Sequence, residues 1–474
     1  MESATTHIGE STRLLDTLHL HGVRFAHWKS NCRLEESITG KTDLDILVHA
    51  DSKIAFTECM YMLGYKKLQS PSWSSYPRVE DWLAFDNDSG NFLHLHTHYA
   101  LVTGIQHVKH LYLPWEEIFF QHIKIDQATG WPIPITELEA IILFIRLSAK
   151  MPLGERRKKL KNIPPYLKEE LVNLLKKSDI DVLIELCDEL KLNLPQDLNS
   201  GIIKIIREED TAEILRISEC FYQQVRPFYR LDWNKSMLIS KYYKTYLKVV
   251  RHTMTTLGPY HLRKKLVEGG KIIALIGSDG SGKSTLSNDL INWLSYKIDC
   301  HYFYLGKKPY IKSNGLQINS FYNFLFHSNL IAKIARKSIK NYYFILLIKK
   351  KLRMIRLAHK LKSQGSVVLC DRFPQVSVPG ISDGMNLQKR GGGNWERKLF
   401  EQTISLEPDL VFKLIVSPGV AIQRKPEHSI DMIRHKCEIL EQISFSNSKL
   451  VEIDADQPYP QVLLQIKREI WNSL

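Results

Sequence analysis

Gly277-Ser278-Asp279-Gly280-Ser281-Gly282-Lys283-Ser284-Thr285 places three glycines, a lysine and two adjacent hydroxyls directly after the apolar run Ile272-Ile273-Ala274-Leu275-Ile276. The glycines let the backbone bend and turn its N–H groups inward, toward phosphate oxygens, at the start of a helix whose dipole also favours anions. Lys283 is then placed to neutralise β- and γ-phosphates and Ser284 to ligate Mg²⁺. The residues Gly277, Ser278, Asp279, Gly280, Ser281, Gly282, Lys283, Ser284 and Thr285 are therefore read as a phosphate-binding loop of the Walker A kind, with ATP and Mg²⁺ as expected cofactors.

A second chemical signal closes the run Val367-Val368-Leu369-Cys370, which ends in Asp371-Arg372-Phe373. In an open α/β sheet ligands sit beyond the carboxyl ends of the strands, so Asp371 and Arg372 are expected to face the same crevice as the loop. The acid would hold a metal or its water, or orient an acceptor oxygen; the guanidinium would grip a phosphate with two hydrogen bonds.

A third signal lies far upstream in Gly40-Lys41-Thr42-Asp43-Leu44-Asp45-Ile46-Leu47-Val48. In a strand Asp43 and Asp45 point to one face, so two carboxylates converge and could bind Mg²⁺. The strand Phe92 to His98 puts His94, His96 and His98 on one face, where a transition metal is the alternative occupant. Asp86 and Asp88 are expected in a turn near that strand.

These residues need scaffolds of different kinds. Residues 1–125 mix short strand-like runs (Asp43 to Val48, Phe92 to His98) with a helical one (Ile54 to Leu63), which predicts an α+β unit. Thr136-Glu137-Leu138-Glu139 offers a capping box before Ala140-Ile141-Ile142-Leu143-Phe144-Ile145, and helical spacing continues through residues 126–260, a helical connector region. Its aromatic and basic stretch over residues 221–250 is expected to pack on a neighbour. A linker around Leu257-Gly258-Pro259 precedes residues 261–474, where helices alternate with strands at Ser366 to Cys370, Leu410 to Val416 and Leu450 to Ile453, the rhythm of a doubly wound parallel sheet.

Composition sets the limits. A length of 474 residues implies more than one core, and the apolar runs, such as Tyr342 to Ile348, are too short to span a bilayer. Met1-Glu2-Ser3-Ala4-Thr5 has no basic segment leading into an apolar one, and the seven cysteines form no Cys-x-x-Cys pair, so a reducing cytoplasm is expected. The net charge of +14 divides into −4, +3 and +15 over residues 1–125, 126–260 and 261–474. Such a field suits an anionic nucleotide and an anionic acceptor; nucleic acid is not expected as a partner, while peripheral contact with an anionic membrane surface would fit the same charge. The basic stretch Lys349 to Arg356 reads as a solvated helix face.

Taken in order, the P-loop, Asp371-Arg372-Phe373, Pro408-Asp409-Leu410-Val411 leading to Ala421-Ile422-Gln423-Arg424, and Val451-Glu452-Ile453-Asp454-Ala455 resemble thymidylate kinases over roughly residues 268 to 474. The resemblance implies a nucleoside-monophosphate-kinase-like P-loop fold that passes the γ-phosphoryl of ATP to an acceptor. It implies Asp279 beside the acceptor, Lys283, Asp371, Arg372 and Arg424 as catalytic residues, Ser284 and Asp371 at the metal, and a dimer. The chain departs from that family at Tyr304-Leu305-Gly306-Lys307-Lys308-Pro309 and beyond Arg372, at Pro374-Gln375-Val376, where thymine-reading residues are absent.

The N-terminal segment, with Lys29-Ser30 upstream of Asp43-Leu44-Asp45, resembles the nucleotidyltransferase fold, which implies metal binding at Asp43 and Asp45. The two-part arrangement resembles proteins of bacterial cell-surface polysaccharide loci, which implies a sugar-linked acceptor. The reading is an ATP- and Mg²⁺-dependent phosphotransferase acting on a small anionic or sugar-like acceptor, a nucleoside monophosphate included. Two alternatives stand beside it: nucleotidyl transfer through Asp43 and Asp45 with the P-loop supplying or sensing nucleotide, and a non-catalytic ATP switch.

Overall fold

The computed structural model describes residues 9–150, 163–257, 261–306, 310–313, 316–318, 338–375, 377–378, 394–426 and 430–474. They form two compact units, Met1–Leu247 and Lys248–Leu474.

In the first unit the strands β1 (Phe25–His27), β2 (Leu44–Val48), β3 (Lys66–Gln69), β4 (Val79–Phe85) and β5 (Phe92–His98) lie in the order β1-β2-β5-β4-β3. Only β2 and β5 pair in parallel among them, with Asp45 opposite His96. The alternation of side chains along a strand divides the sheet into two chemistries. Leu44, Ile46 and Val48 of β2 and Leu93 and Leu95 of β5 join Leu14, Leu18, Phe56 and Met60 from the helices Gly9–Leu20 and Lys53–Met62 in one apolar core. Asp45 and the three histidines therefore take the other face. Two short hairpins follow, β6 (Leu101–Thr103) with β7 (Leu111–Leu113) and β8 (Ile123–Ile125) with β9 (Pro132–Pro134).

The helix Thr136–Ala149 is buried along nearly its whole length, as its almost unbroken apolar sequence demands. It packs in one continuous core with Ala26, Trp28 and Leu47 from the sheet and with the helices Pro165–Lys177, Ile180–Glu189, Leu198–Glu208 and Thr211–Gln224. The expected capping box does not form: no side-chain bond closes the start of this helix. Glu139 is buried and instead accepts the backbone N–H of Asn31 at 2.9 Å, because that loop amide competes successfully for the carboxylate. The first part of the aromatic stretch packs internally, with His110 edge-on to Tyr222, Tyr229 and Trp233, whereas Leu238, Tyr242 and Val249 further along stand exposed.

The second unit opens with the short β10 (Lys265–Leu266) and then builds a sheet from β11 (Ile272–Gly277), β12 (Cys300–Tyr304), β13 (Tyr310–Ser313), β14 (Leu316–Ile318), β15 (Val367–Asp371), β16 (Leu410–Ile415) and β17 (Lys449–Asp454). Their order is β14-β13-β12-β15-β11-β16-β17, with β12, β15, β11, β16 and β17 all parallel and β13 and β14 an antiparallel edge. The helices Lys283–Ser295, Ser338–Ser363, Asn394–Ile404, Ile430–Glu441 and Tyr459–Ser473 alternate with these strands. Ile272 to Ile276 are at most 2% exposed, which is why this strand reads as an uninterrupted apolar run rather than an alternating one. Its edges are pinned by Asp409, which accepts the Ile272 N–H at 2.8 Å and pairs with Lys362. This is a P-loop-type parallel α/β fold. Of the segments where the sequence departs from thymidylate kinases, residues 307–309 and 376 fall outside the described residues, as do residues 379–393.

Candidate functional site

The parallel register brings the two signals of the second unit to one edge. Leu275 of β11 lies opposite Asp371 of β15, and Tyr304 of β12 flanks Asp371 on the other side. The chain leaves β11 at Gly277 and re-enters a helix at Lys283. Gly280 and Gly282 both sit in the left-handed region, with φ of 86° and 85°. A Cβ on Gly280 would stand 2.7 Å from the carbonyl oxygen of Ala421, so glycine is required there by space as well as by backbone angle.

Lys283 is buried, and its Nζ donates to the carbonyls of Gly277 at 2.8 Å and Ser278 at 2.6 Å and to Ser281 Oγ at 3.3 Å. Burial, followed by the charge of Arg372, brings its ammonium down to about 8 despite the opposing pull of Asp371 and Asp279. Lys283 thus lies within the field of Asp279, Asp371 and Arg372. Ser284 and Thr285 stand exposed on the first turn of the helix.

Asp371 is 4% exposed; its Oδ2 accepts from Tyr302 Oη at 2.9 Å, while Oδ1 is buried without a hydrogen-bond partner among the described residues. Arg372 adopts φ of 66°, a costly conformation for a residue with a Cβ, and its N–H closes onto Leu275 O at 3.0 Å. Arg424 ends the helix Pro418–Arg424, and its Nη1 reaches Ala455 O at 3.0 Å and Gly280 O at 3.4 Å, so it braces the loop from behind.

Lys436 was not indicated by the sequence: it lies in the helix Ile430–Glu441 and forms an ion pair with Asp279. Burial works to raise the Asp279 carboxyl, but Lys436, Lys283 and Arg372 outweigh it and hold the group below its ordinary value. Cys437 touches the loop too, with Sγ 3.5 Å from Ser278 Oγ. No local motif marks either residue.

In the first unit Asp43 and Asp45 are each engaged by imidazoles. His94 lies between Asp43 at 2.8 Å and Asp81 at 3.1 Å. Asp81, buried on β4, was not indicated by the sequence; Ser70 holds its other oxygen at 2.6 Å. Asp86 serves the turn and the first helix, accepting from Ser89 N and Glu10 N. Asp45 takes Lys29 Nζ at 2.7 Å, His96 at 3.0 Å and His98 at 3.5 Å.

Burial opposes the Asp45 charge, yet Lys29 and the two histidines more than offset it and hold the carboxyl well below its usual range. Burial pushes His96 down and His98 further down, which keeps both imidazoles neutral. The ligand atoms of Asp45, His96 and His98 lie within 4.8 Å of one another, and a similar group is formed in the second unit by His261, Asp299 and His301. There Asp299 Oδ2 accepts hydrogen bonds from both histidines and from Ser366 Oγ at 2.6 Å.

No family model matches the chain. It is 29% identical over 223 residues to the uncharacterized ATP-binding protein YghS of Escherichia coli (strain K12), the match covering 43% of this chain and 94% of that one. It is 27% identical over 220 residues to the uncharacterized ATP-binding protein YghR of the same strain, covering 42% and 86%. Among solved structures it is similar to a thymidylate kinase from Ehrlichia chaffeensis, at 18% identity and a TM-score of 0.26, over 43% of this chain and 98% of that one. Among the described residues no helix is long and apolar enough to cross a membrane.

Proposed function

We propose that the second unit is a phosphotransferase that binds ATP in the loop Gly277 to Thr285 and passes its γ-phosphoryl to a small phosphorylated or polyhydroxylated acceptor. The observation that carries this reading is the meeting of Lys283, Asp279, Asp371 and Arg372 at the carboxyl edge of β11 and β15. The names of the two E. coli relatives, as ATP-binding proteins, support the nucleotide. The resemblance of its motifs to thymidylate kinases supports the reaction, and the +15 charge of residues 261–474 supports an anionic acceptor.

Lys283 would exchange its carbonyl partners for β- and γ-phosphate oxygens. Mg²⁺ fits the residues present: Ser284 offers an exposed hydroxyl, and Asp371 Oδ1 is a buried carboxylate oxygen that accepts no hydrogen bond among the described residues. When bound, the ion neutralises charge between the β- and γ-phosphates. Arg372, held by its strained backbone, would grip the acceptor, and Arg424 fixes the loop against which the triphosphate is drawn. The acceptor oxygen bonds to the γ-phosphorus as the bond from that phosphorus to the β,γ-bridging oxygen breaks and ADP departs; an anionic phosphate acceptor has no proton to lose, and a hydroxyl acceptor would pass its proton to the Asp371 carboxylate. Catalysis of this kind is mostly positioning and charge neutralisation.

The test is acceptor-stimulated ADP release from Mg·ATP across a panel of nucleoside monophosphates, sugars and sugar phosphates. The proposal expects one class to accelerate ADP formation and Asp371→Asn to abolish that acceleration while ATP still binds. Pyrophosphate release that depends on Asp43 and Asp45 would replace it with nucleotidyl transfer. Tight ATP binding with no stimulation by any acceptor would leave a nucleotide switch.

A further inference from the structure

His261, Asp299 and His301 converge at the amino edge of the second unit's sheet, the end opposite the P-loop. Asp299 and Ser366 immediately precede β12 and β15, and the register pairs Cys300 with Val367 at that end and Tyr304 with Asp371 at the other. Four residues of strand, about 13 Å, therefore separate the group from Asp371. Asp299 and His301 stand two residues apart, so their side chains share one face of the sheet, and both are fully buried. His261, in the segment leading to β10, is 30% exposed and leaves a path from solvent.

The backbone holds this group in place. Asp299 N–H donates to Lys264 O at 2.7 Å, Val367 N–H to Asp299 O at 2.9 Å and Leu266 N–H to Gly365 O at 2.9 Å. A Cβ on Gly365 would collide with Leu266 O, and one on Gly270 with the backbone of Ser366, so these turns pack backbone against backbone. Within the group, Asp299 Oδ2 faces His261 Nδ1 at 2.7 Å, His301 Nε2 at 3.0 Å and Ser366 Oγ at 2.6 Å. A carboxylate oxygen offers about two lone-pair directions, so three donors on one oxygen are one too many. A cation relieves that crowding, because each neutral imidazole can place its proton on the other nitrogen and turn a lone pair inward.

We propose that His261, Asp299 and His301 bind a divalent transition-metal ion, zinc foremost, which clamps the segment before β10 to the amino ends of β12 and β15. Two imidazole nitrogens and a carboxylate oxygen are a donor set that zinc and its first-row neighbours favour, whereas Mg²⁺ demands an octahedron of oxygens. The ligating atoms of the three residues already lie within 4.8 Å of one another. Ligand atoms around a tetrahedral zinc stand roughly 3.4 Å apart, so the present histidine–carboxylate spacings need to open by roughly half an ångström. Ser366 Oγ stays on the carboxylate and orients it, and solvent completes the tetrahedron on the side of His261. The site goes beyond the phosphotransferase reading and stands or falls separately from it.

The experiment is titration of chelator-stripped, full-length protein with Co²⁺ in excess Mg²⁺, followed by visible absorption, and then with Zn²⁺, followed by scanning calorimetry. A saturable equivalent of Co²⁺ with the intense bands of a four-coordinate ion is expected, displaced by Zn²⁺, together with a Zn²⁺-dependent rise in a melting transition. His261→Gln, at the partly exposed ligand, should weaken that equivalent at least a hundredfold and cancel the rise in melting, and Ser366→Ala should weaken it about tenfold. Far-UV circular dichroism checks that both variants are folded. His96→Gln removes a ligand of the comparable group in the first unit and should leave the equivalent in place. Absence of a four-coordinate Co²⁺ spectrum, binding unchanged in folded His261→Gln, or binding lost in His96→Gln would overturn the proposal.

Discussion

Replacing Gly280 by alanine should damage the second unit more than the same change at Gly282, although both glycines have nearly identical positive φ angles. The left-handed backbone costs each alanine about 1–2 kcal/mol. At Gly282 nothing lies within 4 Å of the new Cβ, so strain is the whole cost. At Gly280 the Cβ would lie 2.7 Å from Ala421 O and 3.0 Å from Ala421 Cα. Both are backbone atoms of the helix Pro418–Arg424, so no side chain can swing aside. Overpacking of this kind adds about 1–3 kcal/mol. It also pushes on the helix from which Arg424 reaches Gly280 O.

At about 2–4 °C per kcal/mol for a unit of this size, Gly280→Ala should melt about 2–12 °C below Gly282→Ala. Scanning calorimetry of ligand-free protein reads this directly, with the second unit identified as the transition that ATP shifts upward. Equal melting temperatures, or a lower one for Gly282→Ala, would refute the packing argument and with it the placement of Ala421 behind the loop.

Three further outcomes follow from the two sites. Because burial lowers Lys283 to about 8, its charge is present below that pH and lost as pH rises through it; ATP affinity should fall about fivefold between pH 8 and 9, measured by titration at constant ionic strength. Desolvation, then neighbouring cations, lower Lys109 to about 7, so it should react with an amine-selective acylating reagent at pH 7.5 well ahead of ordinary surface lysines, as read by peptide mass mapping. Glu139→Ala removes the acceptor of Asn31 N and should destabilise the first unit by about 1–3 kcal/mol in urea unfolding, whereas a true capping role would cost about 1 kcal/mol and leave the Lys29 turn ordered.

The P-loop was legible because its whole mechanism is local: three closely spaced glycines, a lysine and hydroxyls after one apolar strand. Asp371-Arg372 was legible for a different reason, since a buried strand ending in charge has its place set by the topology of parallel sheets. Strand alternation likewise put His94, His96 and His98 on one face. What the sequence hid depends on distant chain segments meeting. Asp81 finds His94 through an antiparallel register that nothing nearby announces, and Lys436 meets Asp279 across 157 residues.

Arg146 did leave a signal, a lone guanidinium inside Ala140-Ile141-Ile142-Leu143-Phe144-Ile145-Arg146-Leu147-Ser148-Ala149. A charge in a helix apolar on all sides must be paired or must bind something. The capping-box reading failed for a related reason. Glu139 faces the first unit's interior, and a buried carboxylate goes to the nearest unsatisfied amide, which here belongs to Asn31.

The most direct measurement is transfer of label from γ-labelled ATP, with Mg²⁺, to the acceptor that most stimulates ADP release, compared across wild type, Lys283→Ala and Asp45→Ala. The account predicts label on the acceptor in wild type and in Asp45→Ala, and its loss in Lys283→Ala. Label transfer that survives Lys283→Ala but disappears in Asp45→Ala would contradict it.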